Sequence, residues 1–378
     1  MQEYTAKSLK DFFENNKVLN AAFISELLLF EKYIDKSDKE SVFYIHLNLC
    51  KALSINGNFE TAIEHANKAE NIIPSWNYDF KIYLFFEKGH TYARMDNNAK
   101  NAEEAFVKHI YYNSCRENFA LVAGQKLRFQ NEFSNIPLYS FRPVNKYSIS
   151  DLIKNEITMA DPYTFNDPFD TPLFSRLELR RAIIKENSEY DIKPMVDAYK
   201  HFKVRCFVKH KEKSRKQPFE NQLMWSHYAN LHKGICIRYK FDAEITMEDE
   251  KEKIFSIWCN VDYKTEIKPD DPKSLELRFL LATKEKCWKY ENETRLVHFD
   301  PACPDKYKPI SIRESKIEAI FFGCRCTDED KQTIIKIFPK KTDVADAEFF
   351  EFKFDLESYG LKTYKLNAKD KKRFKMLG

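Results

Sequence analysis

The chain has 378 residues, 43% of them hydrophobic and 15% aromatic, which is ample material for two packed interiors and excludes a largely disordered protein. With 62 basic against 58 acidic residues the formal charge is +4, which argues against a general nucleic-acid coat or a membrane-surface protein and leaves only a local basic groove open. Nine cysteines, an odd number without a CxxC pair, read as reduced thiols of a cytoplasmic protein.

The opening "MQEYTAKSLKDFFENNK" lacks an apolar signal core, and the run "AAFISELLLF" is broken by Glu26 and far shorter than a membrane span. A soluble protein without membrane contact is expected. None of the seven glycines falls in a GxGxxG or GxxxxGKS arrangement, so no Rossmann or P-loop phosphate cradle is expected. Neither HExxH nor paired zinc-ligand spacing occurs, so no metal is expected.

Residues 1–130 read as a helical domain. In "YIHLNLCKALSINGNFETAIEHANKAENIIP" apolar positions recur at helical spacing on both sides of a turn at Asn56 and Gly57, and Pro74 closes the second run. Gly57, Phe59, Ala62, Ala66, Ala69 and Pro74 give this stretch a spacing that resembles the tetratricopeptide repeat. Gly89, Tyr92, Ala102 and Phe106 fit a looser second copy with one residue inserted. Such repeats imply packing or the docking of a protein target or regulator.

From residue 131 to 378 an α+β domain with mainly antiparallel strands is expected. Strand-like runs are "LYSFR", "EITMAD", "RCFVKH", "GICIRYKF", "ETRLVHF", "IEAIFFG" and "EFFEFKF"; helices are expected at "SISDLIKN", "NQLMWSHYANLH" and "DKQTIIKIF". The tail "NAKDKKRFKMLG" is basic and is expected to be frayed or loosely docked.

Three ordered blocks stand out: "FNDPF" at 165–169, "MWSHYA…G" from Met224, and "W-x-Y-E-x-E-x-R" from Trp288. Together they resemble an uncharacterised bacterial family, domain of unknown function 2971, over roughly residues 136 to 340. The element order is similar to that of ADP-ribosyltransferases: a basic residue on the first strand, then a helix and second strand, an aromatic-bearing helix, and a glutamate near the start of a late strand. That resemblance implies an ADP-ribosyltransferase or NAD glycohydrolase, with NAD as substrate. A bacterial toxin or phage-defence effector is a setting that suits such an enzyme.

Cleaving the nicotinamide–ribose bond needs a fixed carboxylate beside an oxocarbenium-like sugar. Glu293 takes that role, and Glu291, on the same strand face by period-two alternation, orients or activates the acceptor. Arg295 shares the face. The analogy gives Arg142 the pyrophosphate, and Tyr163, Trp225 or Tyr228 the aromatic wall for nicotinamide. Asn166 and Asp167 of the "FNDPF" loop, with Ser226 and His227 of the helix, complete the candidate set.

Other readings stay open from the residues alone. Glu291, Glu293 and Arg295 form a solvated ion-pair ladder in one, and Trp225 is core in another. Asn166 and Asp167 have turn chemistry, Ser226 can cap a helix, and Arg142 can pair with Asp167 or Asp170. A nuclease would use the acidic pair with Asp167, Asp170 and His210, His227 or His232, and "KHKEKSRK" (209–216) as a phosphate strip; nucleic acid is a less favoured partner. A non-catalytic nucleotide- or protein-binding sensor is the third reading.

Overall fold

The computed structural model describes residues 4–370 except 75–76, 133–135, 168–169, 171–192, 211–213, 242–247, 250, 267–280, 304, 313–315, 338–346, 356, 358–359 and 368–369. The chain divides into two compact units, one of residues 1–121 with 176–201, the other of 122–175 with 202–378. The fold is α+β, with the helices first and a mixed, mostly antiparallel sheet after them. Within the stretch 131–378 read from the sequence as one domain, the described residues 193–201 cluster with the helical unit.

The helical unit contains α1 (Ala6–Asn15), α2 (Ala21–Tyr33), α3 (Lys39–Ile55), α4 (Phe59–Ile72), α5 (Tyr78–Ala93), the first part of α6 (Ala99–Glu132) and, after α7 of the other unit, α8 (Lys193–Tyr199). Gly57 joins α3 to α4 with φ of +79°, a conformation that glycine adopts without penalty. Ala62, Ala66 and Ala69 are fully buried, and their small side chains let the paired helices approach closely. Gly89 serves the next pair: a Cβ there would lie 2.7 Å from the Phe106 ring. No helix among the described residues is long and apolar enough to cross a membrane.

The second unit is built on one sheet with strand order β13-β12-β11-β4-β1-β3-β9-β6-β5. Its central members are β1 (Leu138–Arg142), β3 (Phe202–Lys209), β4 (Ile235–Lys240), β9 (Glu293–Phe299) and β11 (Lys316–Phe322). Toward one edge lie β12 (Glu348–Asp355) and β13 (Gly360–Lys365), toward the other β6 (Ile254–Asn260) and β5 (Glu248–Asp249). Both faces are covered. Leu138, Phe207, Ile235 and Ile237 belong to one core, and their strand neighbours Tyr139, Val208 and Cys236 to the other, with Trp225 and Phe321. Period-two alternation between two buried faces explains why β1 and β9 are buried at every position.

One edge of strand β3 pairs with β9 from Phe202 to Val208, and its other edge is shared between two partners. Its end pairs with β1, through Leu138–Lys209 and Tyr139–Val208. Lower down, Val204 pairs with Ala160 of β2 (Glu156–Ala160), which carries β10 (Tyr307–Ser311) on its far side. The sheet therefore splits along β3 between Val204 and Val208. Helix α7 (Lys146–Lys154) links β1 to β2 across the split.

Two local departures from expectation matter for the site. Strand β9 begins at Glu293; Glu291 ends a 3-10 helix (Lys286–Glu291), and Asn292 between them is left-handed with φ of 48°. The helix expected over "NQLMWSHYANLH" is α9 (Gln222–Tyr228), because Asn230, Leu231 and His232 all turn left-handed, with φ of 46°, 53° and 69°.

This triple turn returns the chain to Gly234, whose N–H donates to the Ala229 carbonyl at 2.8 Å. A Cβ on Gly234 would stand 2.1 Å from the Arg142 carbonyl oxygen. Gly234→Ala is thus expected to lower stability by at least about 3 kcal/mol, because backbone has to move. A urea midpoint equal to the wild type would refute this close-approach role. The remaining helix, α10 (Asp328–Ile337), lies in the run expected to be helical.

Candidate functional site

A cavity of about 410 Å³ opens where the sheet splits. Its walls include Ser140 and Phe141 of β1, the stretch Val204–Val208 of β3, Phe165 and Asn166 of the loop after β2, and His227 and Tyr228 of α9. Asp170, Lys284, Glu291 and Glu293 also line it.

Lys284 lies on β8 (Thr283–Glu285), which pairs in parallel with β7 (Asp262–Lys264) so that Tyr263 stands beside Lys284. Its ammonium contacts three carboxylates: Glu291 at 2.7 Å, Glu293 at 3.3 Å and Asp170 at 3.3 Å. The Arg295 guanidinium donates from Nε to Glu293 Oε1 at 2.6 Å and from one Nη to both Asp170 oxygens at 2.7 and 2.8 Å. Its other Nη donates to the Leu281 carbonyl at 2.8 Å. Glu291 is 2%, Glu293 4% and Arg295 0% exposed, so the solvated ladder is excluded.

The left-handed Asn292 lets Glu291 and Glu293 converge on one ammonium although only Glu293 is on the strand. Its side-chain N–H2 donates to the Lys209 carbonyl at 2.7 Å, and the Lys209 N–H donates back to the Asn292 carbonyl at 3.2 Å. The Glu293 N–H donates to Tyr263 Oη at 2.8 Å. These bonds fix the backbone that carries the two carboxyls.

The two glutamates differ in their protonation. Burial pushes the Glu291 carboxyl up, to about 7; the Glu293 carboxylate adds to the rise, while Lys284 and the Tyr228 hydroxyl oppose it. Tyr228 Oη donates to Glu291 Oε1 at 2.6 Å. Burial would raise Glu293 too, but Arg295 and Lys284 outweigh it and hold that carboxyl at about 2. Lys284 is itself raised, its burial overcome by Glu293, Asp170 and Glu291. Three carboxylates face two cations, so the fully ionised cluster lacks one positive charge. A proton on Glu291, or a cationic ligand, supplies it.

Of the candidates named from sequence, the structure brings Glu291, Glu293, Asn166, His227 and Tyr228 to the cavity, with Arg295 bound to its acidic residues. Arg142 is not brought there. It is buried and paired with Asp151, whose carboxylate also accepts from the Thr158 N–H and hydroxyl, so it does not hold a pyrophosphate and its partner is neither Asp167 nor Asp170. Trp225 is fully buried, with Nε1 donating to the Phe219 carbonyl at 2.7 Å; it is core, not a ring wall.

Ser226 donates to the Gln222 carbonyl and sits 3.0 Å from His232 Nε2, outside the cavity lining. Tyr163 is exposed on the turn Pro162–Thr164. Asp167 plays the turn role: its carbonyl accepts from the Asp170 N–H at 3.1 Å, aiming Asp170 toward Arg295. Pro168 and Phe169 of the same box, Lys211–Lys213 of the basic run and most of the tail lie outside the described residues.

Sequence reasoning passed over Lys284 and Arg205. In "LATKEKCW" a lysine among other charges gives no sign of burial. Arg205 lies in the cavity wall on β3, bonded to Ser140 Oγ, with its Nε finding no hydrogen-bond partner among the described residues. Burial and the neighbouring Arg142 pull its pKa down to about 10, so it stays cationic at neutral pH.

Residues 224–296 match the family described as a protein of unknown function, DUF2971. The DUF2971 stretch contains Tyr228, Lys284, Glu291, Glu293 and Arg295, whereas Asp170 and Arg205 precede it. No curated protein and no solved structure matches the chain significantly.

Proposed function

We propose that the second unit cleaves the nicotinamide–ribose bond of NAD, as an ADP-ribosyltransferase or an NAD glycohydrolase. The observation that carries this reading is the pair of cavity carboxyls with opposed environments: Glu293 held ionised, Glu291 poised near neutrality. Divergent environments of this kind assign an electrostatic and a proton-transfer role to two neighbouring acids.

In the proposed reaction the C–N electron pair leaves with neutral nicotinamide, and positive charge develops on the ribose. The permanent Glu293 carboxylate stabilises that charge. Water or a hydroxyl of a target bonds to the ribose carbon, and its proton passes to Glu291. The missing positive charge of the cluster suits a substrate whose reacting ring is cationic. Phe141, Phe165 and Tyr228 offer apolar surface for that ring, and Arg205 takes the pyrophosphate role first given to Arg142.

The test is nicotinamide release from NAD by the full chain, with and without cell lysate. Release alone supports hydrolysis; release that needs lysate supports transfer. A folded protein that neither binds NAD nor releases nicotinamide ends the proposal. Arg205→Gln is expected to raise KM for NAD by about tenfold or more with kcat nearly kept, the signature of lost binding to a charged group. A fall in kcat at constant KM would contradict a phosphate-holding role.

The second reading, a nucleotide sensor, draws on the completeness of the ion pairs, since both Glu293 oxygens are already engaged. A sensor would bind NAD and release nothing. The nuclease reading is weaker, because Lys284 and Arg295 already occupy the carboxylates that a divalent metal would need. A toxin or defence effector whose helical unit docks a target or regulator is the setting we propose.

A further inference from the structure

Helices α2, α3 and α4 each send one side chain to a common point within the helical unit. These are Glu31, His46 and His65. His46 and His65 are 6% and 4% exposed, and their Nδ1 atoms stand 3.0 Å apart. Glu31 Oε1 lies 3.8 Å from His46 Nδ1, and the three ligand atoms all fall within 4.8 Å of one another. Neither metal-motif spacing nor helical periodicity connects these residues, which are 15 and 19 positions apart along the chain.

We propose that this cluster binds a divalent transition-metal ion, zinc above all, through His46 Nδ1, His65 Nδ1 and Glu31. Imidazole nitrogens with one carboxylate suit zinc, cobalt and nickel better than magnesium or calcium. Two nitrogens bound to one tetrahedral zinc stand about 3.3 Å apart, given bonds of about 2.0–2.1 Å. The observed pair needs to open by a few tenths of an ångström, and Glu31 has to close by a side-chain rotation. Three protein ligands leave a fourth position for water.

Lys68 competes for the carboxylate. Its ammonium is 3.1 Å from Glu31 Oε1, on a side chain 52% exposed. Glu31 is thus neutralised either by Lys68 or by the metal, and Lys68 can swing into solvent when the metal arrives. Bound metal would tie α2 to α3 and α4.

The experiment uses the full chain, stripped with chelator and titrated with Zn²⁺ and Co²⁺. Expected is one ion per chain, with a rise in melting temperature of about 5 °C at a hundredfold excess over Kd. Cobalt should show tetrahedral d–d bands without the thiolate charge-transfer band that a cysteine site would give. Affinity should fall at least tenfold in Glu31→Gln and in His65→Asn, and rise severalfold in Lys68→Met. Since His65→Asn alters a packed position, Glu31→Gln and Lys68→Met carry the decision. No binding by the wild type, a thiolate band, or an affinity that those two substitutions leave unmoved overturns the proposal.

Discussion

Glu293→Gln is expected to cut nicotinamide release by a factor of hundreds or more and to lower the stability of the second unit by about 3 kcal/mol. The first effect follows, in the proposed NAD cleavage, from losing a fixed charge beside the ribose on which positive charge would develop. The second follows from geometry: Arg295 Nε and Lys284 both donate to this carboxylate inside the protein, and Gln offers these two buried cations a neutral amide where each now has a charged partner. The pH dependence has a definite sign. Glu293 is depressed from 4.5 to about 2, so its contribution is complete above about 4.5 and is lost as pH falls toward 2. Turnover should be measured at a temperature where circular dichroism shows the variant folded. Near-normal release there would remove Glu293 from the mechanism, and unchanged stability would contradict the ion-pair geometry.

Glu291→Gln should separate chemistry from stability. Its carboxyl is raised from 4.5 to about 7, so between those values the native protein holds a proton that the unfolded chain has lost. Stability from this group is therefore greatest below 4.5 and declines by about 3 kcal/mol as pH rises through 7. Wild-type turnover should climb over the same upper range as the base is freed. Gln abolishes both trends: the variant should lose most turnover, lose its rise near pH 7, and be at least as stable as the wild type at pH 8. Its amide N–H2 can donate to Tyr228 Oη in place of the bond now donated by the hydroxyl. A variant that keeps the wild-type pH profile would show that another group titrates.

Strands could be read from the sequence most easily where both sheet faces are buried, because runs such as "IEAIFFG" and "GICIRYKF" are then apolar or aromatic at most positions. The edges were harder. Strand β10 carries Pro309 and two exposed ends, and β13 reads "GLKTYK", half of it charged or polar. The paired glutamates were visible as a pattern, but the reason given for their convergence was strand alternation, and the chain achieves it with the left-handed Asn292. Lys284 and Arg205 could not be assigned, and Asp170 could not be matched to Arg295, because burial of a charge is decided by residues far away in sequence. Arg142 misled for the same reason: its partner Asp151 lies on the helix that follows, and nothing local marks the pair.

The placement of residues 176–201 with the helical unit also bears on how the protein is made. During synthesis neither unit has all its residues until chain growth passes position 201, and the sheet must wait much longer for β9 and β11. A cut after residue 121 strips the helices of α8, and a fragment starting at 131 carries α8 with nothing of its own unit to pack on. Genetic dissection of the two halves at a single point would leave both incomplete. A fair separation would excise 176–201 from one half and append it to the other.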